Sequence, residues 1–186
     1  MTVVKSLCVF CGAQNNVDQH FLDMGARFGA HLANNNVRMI YGGGDCGLMG
    51  SAANAALENG GEVTGVFPLS LKQIENEHQS LTEIIMVESM HERKKKMFDL
   101  TDAFVILPGG FGTMDEMFEI ITWKQLLLHE KPVIIVNYRG YWDGLVKLMD
   151  NILDEGFATP ETRKLYTVVD KPSEVFPLLN LPEQPE

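Results

Sequence analysis

The sequence feature that most constrains the fold is a glycine-rich segment at residues 108–116, Pro-Gly-Gly-Phe-Gly-Thr-Met-Asp-Glu. An apolar run at 103–107 precedes it, and a segment of helical character follows at 117–128. Short apolar runs of this kind predict a buried strand, so the glycines join a strand to a helix. Turns of this type bind phosphate in α/β proteins. Glycine lets the backbone approach an anion, and the first helical N–H groups attract negative charge.

Strand-like and helical segments alternate along the whole chain. The strands are predicted at 6–11, 37–41, 63–67 (ended by Pro68), 84–87, 103–107, 133–136 and 167–169. The helices are predicted at 18–34, 49–59, 89–100, 117–128, 142–154 and 173–179. This order predicts a Rossmann-like, doubly wound parallel sheet in a three-layer α/β fold. The polar residues 69–83 are predicted to form a loop or lid.

Length and charge limit the classes of function. The 186 residues predict a single domain over 1–181, with a disordered tail at 182–186. The formal net charge of −10 disfavours nucleic-acid binding, and no apolar stretch has the length of a membrane span. Three cysteines, an odd number, argue against a secreted disulfide framework. We therefore expect a cytoplasmic protein without nucleic-acid or membrane partners.

Three glycine-bearing loops, at Gly12, 42–50 and 109–112, follow predicted strands. They are expected at the carboxyl edge of the sheet, where ligands of such folds bind. Residues 42–47 match the dinucleotide pattern G-x-G-x-x-G, but the next strand ends in Phe67-Pro68 where a ribose-binding acid is required. Conventional NAD binding is therefore not expected, and a loop facing phosphate or ribose is favoured over a purely structural turn.

Glu116 has two interpretations. Thr113 and Glu116 have the spacing of a capping box, in which the acid reaches back to the helix cap. The same acid, expected with Asp115 in the first helical turn beside an anion, also fits a catalytic role. The pattern alone leaves both open, and for Asp115 a favourable interaction with the helix dipole is an equal alternative. Ser89 and Glu92 form a second capping-box pattern, which we interpret as structural.

Arg93 and Lys94 lie early in their predicted helix, where basic side chains oppose the helix dipole. A bound anion would explain both, whereas Lys95 and Lys96 are interpreted as a solvated face. Cys8 and Cys11, three apart in a strand, should point to opposite faces and act as buried apolar residues. The five histidines show no metal-ligand spacing, so no metal site is expected.

Trp123 and the leucines at 126–128 give their helix more apolar side chains than one buried face requires. They predict a subunit interface, although a second helix within the monomer would use them equally well.

The segment Met90-His91-Glu92-Arg93-Lys94, followed by 108–116, resembles the Lonely Guy (LOG) family. The signature of that family is P-G-G-x-G-T-x-x-E with an upstream M-H-x-R-K. The likeness covers nearly the whole chain, from Gly12 through 42–50 to 121–123, and two linked motifs at this separation make it specific. The loop at 11–14 departs from the G-S-x-x-G-like loop of many members, which affects contacts near the base or ribose.

The resemblance implies a homodimer that hydrolyses the N-glycosidic bond of AMP or N6-substituted (cytokinin) riboside 5′-monophosphates without a cofactor. The products are the free base and ribose 5-phosphate. Arg93 and Glu116 match the family's catalytic pair, and Asp115 is a candidate to protonate the leaving base. Positions expected to border the substrate are Gly12, Gly43, Gly44, Met49, Glu75, Lys94, Gly109, Gly110, Phe111, Gly112, Thr113, Met114, Asp115 and Thr122.

Two alternatives remain from the residues. The same fold could serve a non-catalytic nucleotide or molybdopterin-cofactor carrier. Lysine decarboxylation, an older description of the family, would need a lysine that holds pyridoxal phosphate, and nothing in the sequence singles one out.

Overall fold

A computed structural model describes residues 4–72 and 76–182. Its strands are β1 (Ser6–Phe10), β2 (Arg38–Tyr41), β3 (Val63–Pro68), β4 (Glu83–Val87), β5 (Ala103–Ile106), β6 (Val133–Val136) and β7 (Thr167–Val169). Its helices are α1 (Gln19–Asn34), α2 (Gly47–Glu58), α3 (Met90–Leu100), α4 (Phe111–Gln125), α5 (Asp143–Asp154) and α6 (Val175–Leu178). Glu75 and residues 183–186, which carry parts of the site and tail predictions, lie outside the described residues.

The strands form one parallel sheet of seven, in the order β4-β3-β2-β1-β5-β6-β7. The chain moves outward from β1 to β4, then returns to place β5 on the other side of β1. Here the strand order reverses, and in open α/β sheets the ligand binds at this switch point. The predicted doubly wound α/β fold is confirmed.

Two apolar layers bury the faces of the sheet. One contains α1, α2 and α6, where Met24, Ala52 and Phe176 share a core with Leu7 of β1. The other contains α3, α4 and α5, where Met97, Met117 and Leu145 pack with Cys8. Cys8 and Cys11 lie in different layers, as predicted from their spacing.

The helix termini explain two differences from the predicted bounds. Ser89 caps α3 by accepting a hydrogen bond from the Glu92 N–H, which fits the structural interpretation of that pair. Helix α4 begins at Phe111 and not at Met117, because its cap is Gly110. Thr113 is therefore inside the helix, and the capping-box interpretation of Thr113 and Glu116 is wrong.

Two further corrections follow from the bounds. Asp115 and Glu116 lie in the second turn of α4, not the first, since that helix starts at Phe111. Pro68, expected to end the third strand before it, is the last residue of β3 and is paired with Val87. No helix in the described ranges, 4–72 and 76–182, has both the length and the apolarity to cross a bilayer.

Candidate active site

The centre of the site is the junction between β1 and β5. Gly12 and Pro108 follow these neighbouring strands, and the Gly12 N–H donates to the Pro108 carbonyl at 3.0 Å. A Cβ on Gly12 would lie 3.4 Å from the Gly109 Cα, so the two loops are in close contact. A cavity of about 480 Å³ opens beside this junction.

The N terminus of α4 forms one wall of the cavity. The first hydrogen bond of the helix runs from the Met114 N–H to the Gly110 carbonyl at 3.1 Å. The N–H groups of residues 111–113 precede that bond and so have no partner within the helix. These residues and Gly110 line the cavity, and backbone donors at the positive end of a helix dipole are suited to an anion.

Arg93 of α3 is a buried residue of the cavity lining. Its Nε donates to the Val66 carbonyl at 3.1 Å, and its Nη2 donates to the Gly42 carbonyl at 2.9 Å. A Cβ on Gly42 would lie only 1.8 Å from Nη2, so glycine at this position makes room for the guanidinium. The third guanidinium nitrogen, Nη1, faces Glu116 and lies 3.9 Å from its Oε1.

Glu116 projects from α4 toward the cavity and Arg93. Only 12% of its side chain and 8% of that of Arg93 are exposed. The 3.9 Å separation is too long for a hydrogen bond, so the carboxylate is attracted to the cation but still available to a ligand. Burial raises the pKa of Glu116 to about 7, although the positive charge of Arg93 acts in the opposite direction.

The predicted site residues divide into two groups. Those that line the cavity are Gly12, Met49, Arg93, Gly109, Gly110, Phe111, Gly112, Thr113 and Glu116. Gly43, Gly44, Lys94, Met114, Asp115 and Thr122 do not line it.

The residues outside the cavity have other partners. Lys94 lies 3.1 Å from Asp115 Oδ2 and 3.2 Å from Glu119 Oε1, so it joins α3 to α4. Asp115 is largely exposed, which leaves it poorly placed to protonate a leaving base in this cavity. The Gly43 carbonyl accepts from the His78 N–H at 2.8 Å, and that loop is thereby tied to the segment after residue 76.

Several lining residues were not predicted from the sequence. Gln14, Val17 and Phe21 come from the loop after β1 and the start of α1, and Tyr141 comes from the turn before α5. Phe21 carried only the signal of an apolar helix position, and Tyr141 carried none. Within the described residues, no group of three His, Cys, Asp or Glu side chains could hold a metal ion.

Fold and site together define a doubly wound α/β protein whose cavity is lined by a helix N terminus and a buried arginine–carboxylate pair. The family model described as "Possible lysine decarboxylase" matches residues 49–179. A cytokinin riboside 5′-monophosphate phosphoribohydrolase of Rhodococcoides fascians is 44% identical over 86% of this chain and 81% of its own length. A second such phosphoribohydrolase, from Arabidopsis thaliana, is 39% identical over 91% of this chain and 78% of its own length. The chain belongs to this family, the LOG family that its motifs resemble.

Solved structures extend the likeness of the fold. A molybdenum cofactor binding protein from Rippkaea orientalis superimposes with a TM-score of 0.71, covering 94% of each chain at 17% identity. At this identity the likeness concerns the fold alone.

Proposed function

We propose that this protein hydrolyses the N-glycosidic bond of AMP or of N6-substituted riboside 5′-monophosphates, releasing the base and ribose 5-phosphate. The observation that carries this proposal is the buried Glu116 carboxylate beside a backbone anion site in one cavity. Relatives at 44% and 39% identity whose names state this activity support it.

The mechanism starts from the anion site. The 5′-phosphate binds the N–H groups at the start of α4, where Thr113 is also buried in the cavity wall. Glu116 lies about 4.5 Å further along the helix axis than Thr113, at ~1.5 Å per residue. A ribose attached to the phosphate then extends toward the Glu116 carboxylate.

Cleavage of the ribosyl C–N bond builds positive charge on the sugar. The ionised Glu116 stabilises that oxocarbenium ion and orients the water that adds to C1′, while the base leaves with the bonding electron pair and takes up a proton. Arg93 favours the ionised form of Glu116, and its bonds to the Val66 and Gly42 carbonyls hold it in place.

The test is to incubate the purified protein with AMP and with N6-isopentenyl-AMP and to assay ribose 5-phosphate. Release of the sugar phosphate supports the hydrolase. Tight AMP binding without release would favour the alternative, a nucleotide or cofactor carrier on the same fold. The ratio of the two turnover rates gives the preferred N6 group.

The activity should depend on pH through Glu116. Since the acid must be ionised and burial raises its pKa to about 7, kcat/KM should rise with pH and level off above about pH 7. Below that value it should fall about tenfold per pH unit. The substrate phosphate titrates near pH 6. AMP binding to the Glu116→Gln protein should therefore change with pH only near pH 6, where the phosphate titrates. A kcat/KM that stays constant between pH 5.5 and 8 would contradict the role of Glu116.

We also propose that the protein is a homodimer. Leu126, Leu127 and Leu128 are 64%, 90% and 64% exposed, so they do not pack within the described part of the monomer. An exposed apolar group of this kind favours a protein interface. Replacing Leu127 with Lys should convert the dimer to monomer in sedimentation velocity, whereas Leu148→Lys, at an exposed leucine of α5, should not. A wild-type monomer would contradict the proposal.

A cytoplasmic location is proposed on the cysteines. Cys8 and Cys11 are buried free thiols, which fits a reducing compartment.

A further inference from the structure

Tyr141 makes a contact with the glycine-rich loop that the mechanism above does not use. It lies in the turn between β6 and α5, and its hydroxyl donates to the Gly109 carbonyl at 2.7 Å. Its ring meets Phe21 edge-on, with 5.5 Å between ring centroids. Both rings line the cavity that contains Glu116.

The bond to Gly109 constrains the next residue through the planarity of the peptide. The peptide bonds of the described residues are trans, so the Gly109 carbonyl and the Gly110 N–H point in opposite directions from one rigid plane. A donor that holds the carbonyl therefore also sets the direction of the Gly110 N–H. A hydrogen bond at the carbonyl also polarises the peptide, which strengthens its N–H as a donor.

The peptide before it is held by a second hydrogen bond. The Pro108 carbonyl accepts from the Gly12 N–H at 3.0 Å, so two successive carbonyls of the loop are bound by different parts of the fold. Glycine at 110 has an unrestricted backbone, and a Cβ there would meet nothing within 4 Å. The peptide between Gly109 and Gly110 is flanked by two glycines, so without an external donor its plane has little to hold it.

The turn that carries Tyr141 is itself well fixed. The buried Asn137 accepts from the Trp142 N–H at 2.6 Å and donates to Asp143 at 2.7 Å. The Gly140 N–H donates to the Asn137 carbonyl at 3.0 Å. The tyrosine hydroxyl is thus presented to the loop from a preorganised support.

We propose that Tyr141 is a positioning residue that orients the Gly110 N–H toward the phosphate of the substrate. This inference rests on the proposed function for the identity of the ligand, a phosphate monoester. Tyr141 acts through the loop and its role is confined to the phosphate end of the substrate.

The test compares Tyr141→Phe with Tyr138→Phe, which removes a hydroxyl from the same turn at a residue that does not line the cavity. AMP binding is measured by calorimetry with Glu116→Gln in both proteins, so that no substrate is consumed. Loss of one hydrogen bond of this kind should weaken AMP binding about 3- to 10-fold in Tyr141→Phe, and less than twofold in Tyr138→Phe.

A steady-state readout separates positioning from a general structural effect. With Glu116 intact, Tyr141→Phe should raise KM for AMP and the inhibition constant of ribose 5-phosphate by the same factor, with kcat reduced less than twofold. Equal AMP affinity in the Tyr141→Phe and Tyr138→Phe proteins, or a fall in kcat alone, would overturn the proposal. Because calorimetry needs no turnover, a wild type that binds AMP without hydrolysing it would contradict only the proposed function.

Discussion

Replacing Glu116 with Gln should lower the rate of AMP hydrolysis at least ~100-fold, the scale of losing one key electrostatic group. The amide keeps the size of the side chain but cannot stabilise the positive charge that develops on the ribose. AMP binding should be nearly retained, because the proposed phosphate site is the start of α4 and not residue 116. The measurement is kcat from ribose 5-phosphate release, with AMP affinity from calorimetry.

The stability of the same variant distinguishes catalysis from folding. In the folded protein Glu116 keeps its proton up to about pH 7, whereas its ordinary pKa is 4.5. The folded state therefore binds more protons than the unfolded state across that window, and stability falls as the pH rises through it. Glu116→Gln removes this titration, so its free energy of unfolding should lack the fall that the wild type shows between about pH 4.5 and pH 7.

Glu119→Gln is the matched control, since Glu119 is on the same helix and pairs with Lys94 outside the cavity. It should retain hydrolysis within a few-fold of the wild type. A Glu116→Gln protein that is as active as Glu119→Gln would show that Glu116 has no part in the chemistry.

Replacing Arg93 with Met should have the largest effect on stability. The change leaves the Val66 and Gly42 carbonyls without their buried donor and leaves Glu116 without its cation. Breaking a buried pair from one side typically costs 3–5 kcal/mol, and we expect a loss of about that size in the free energy of unfolding at pH 8. Near pH 5 the loss should be smaller, because Glu116 is then protonated.

Hydrolysis by Arg93→Met should fall at least ~100-fold at pH 7, since the carboxylate then loses the charge that favours its ionised form. Lys95→Met, at an exposed position of the same helix, should change stability by about 0.5 kcal/mol or less. Urea unfolding at two pH values checks both variants. An Arg93→Met protein as stable as Lys95→Met at pH 8 would contradict the structural role of the arginine.

The sequence was informative where a residue's position follows from its place after a strand. Gly12 and the 108–113 loop follow β1 and β5, and parallel strands bring their carboxyl ends to one edge, so their meeting was predictable. Arg93 was also identifiable, because a cation in the first turns of a helix needs a compensating partner.

Other parts of the site depend on contacts between distant loops. The capping-box interpretation of Glu116 stayed open in the sequence because the helix start could be placed at either side of Thr113, and only the cap at Gly110 excludes it. Tyr141 gave no signal, since its contact with Gly109 depends on the shape of a turn from another part of the chain. The position of Gly43 after a strand also predicted a ligand-binding loop, but its carbonyl accepts a hydrogen bond from the His78 N–H.

The reversal of strand order beside β1 has a consequence for how the protein is made. Synthesis proceeds from the N terminus, so β1 to β4 leave the ribosome before β5, and until then one edge of β1 presents unpaired backbone groups. The two parts of the cavity lining are likewise synthesised at different times, because Gly12 precedes β2 to β4 in the chain and Glu116 follows β5. A nascent chain that stops before residue 103 therefore has an exposed strand edge, which favours aggregation, and only part of the cavity lining.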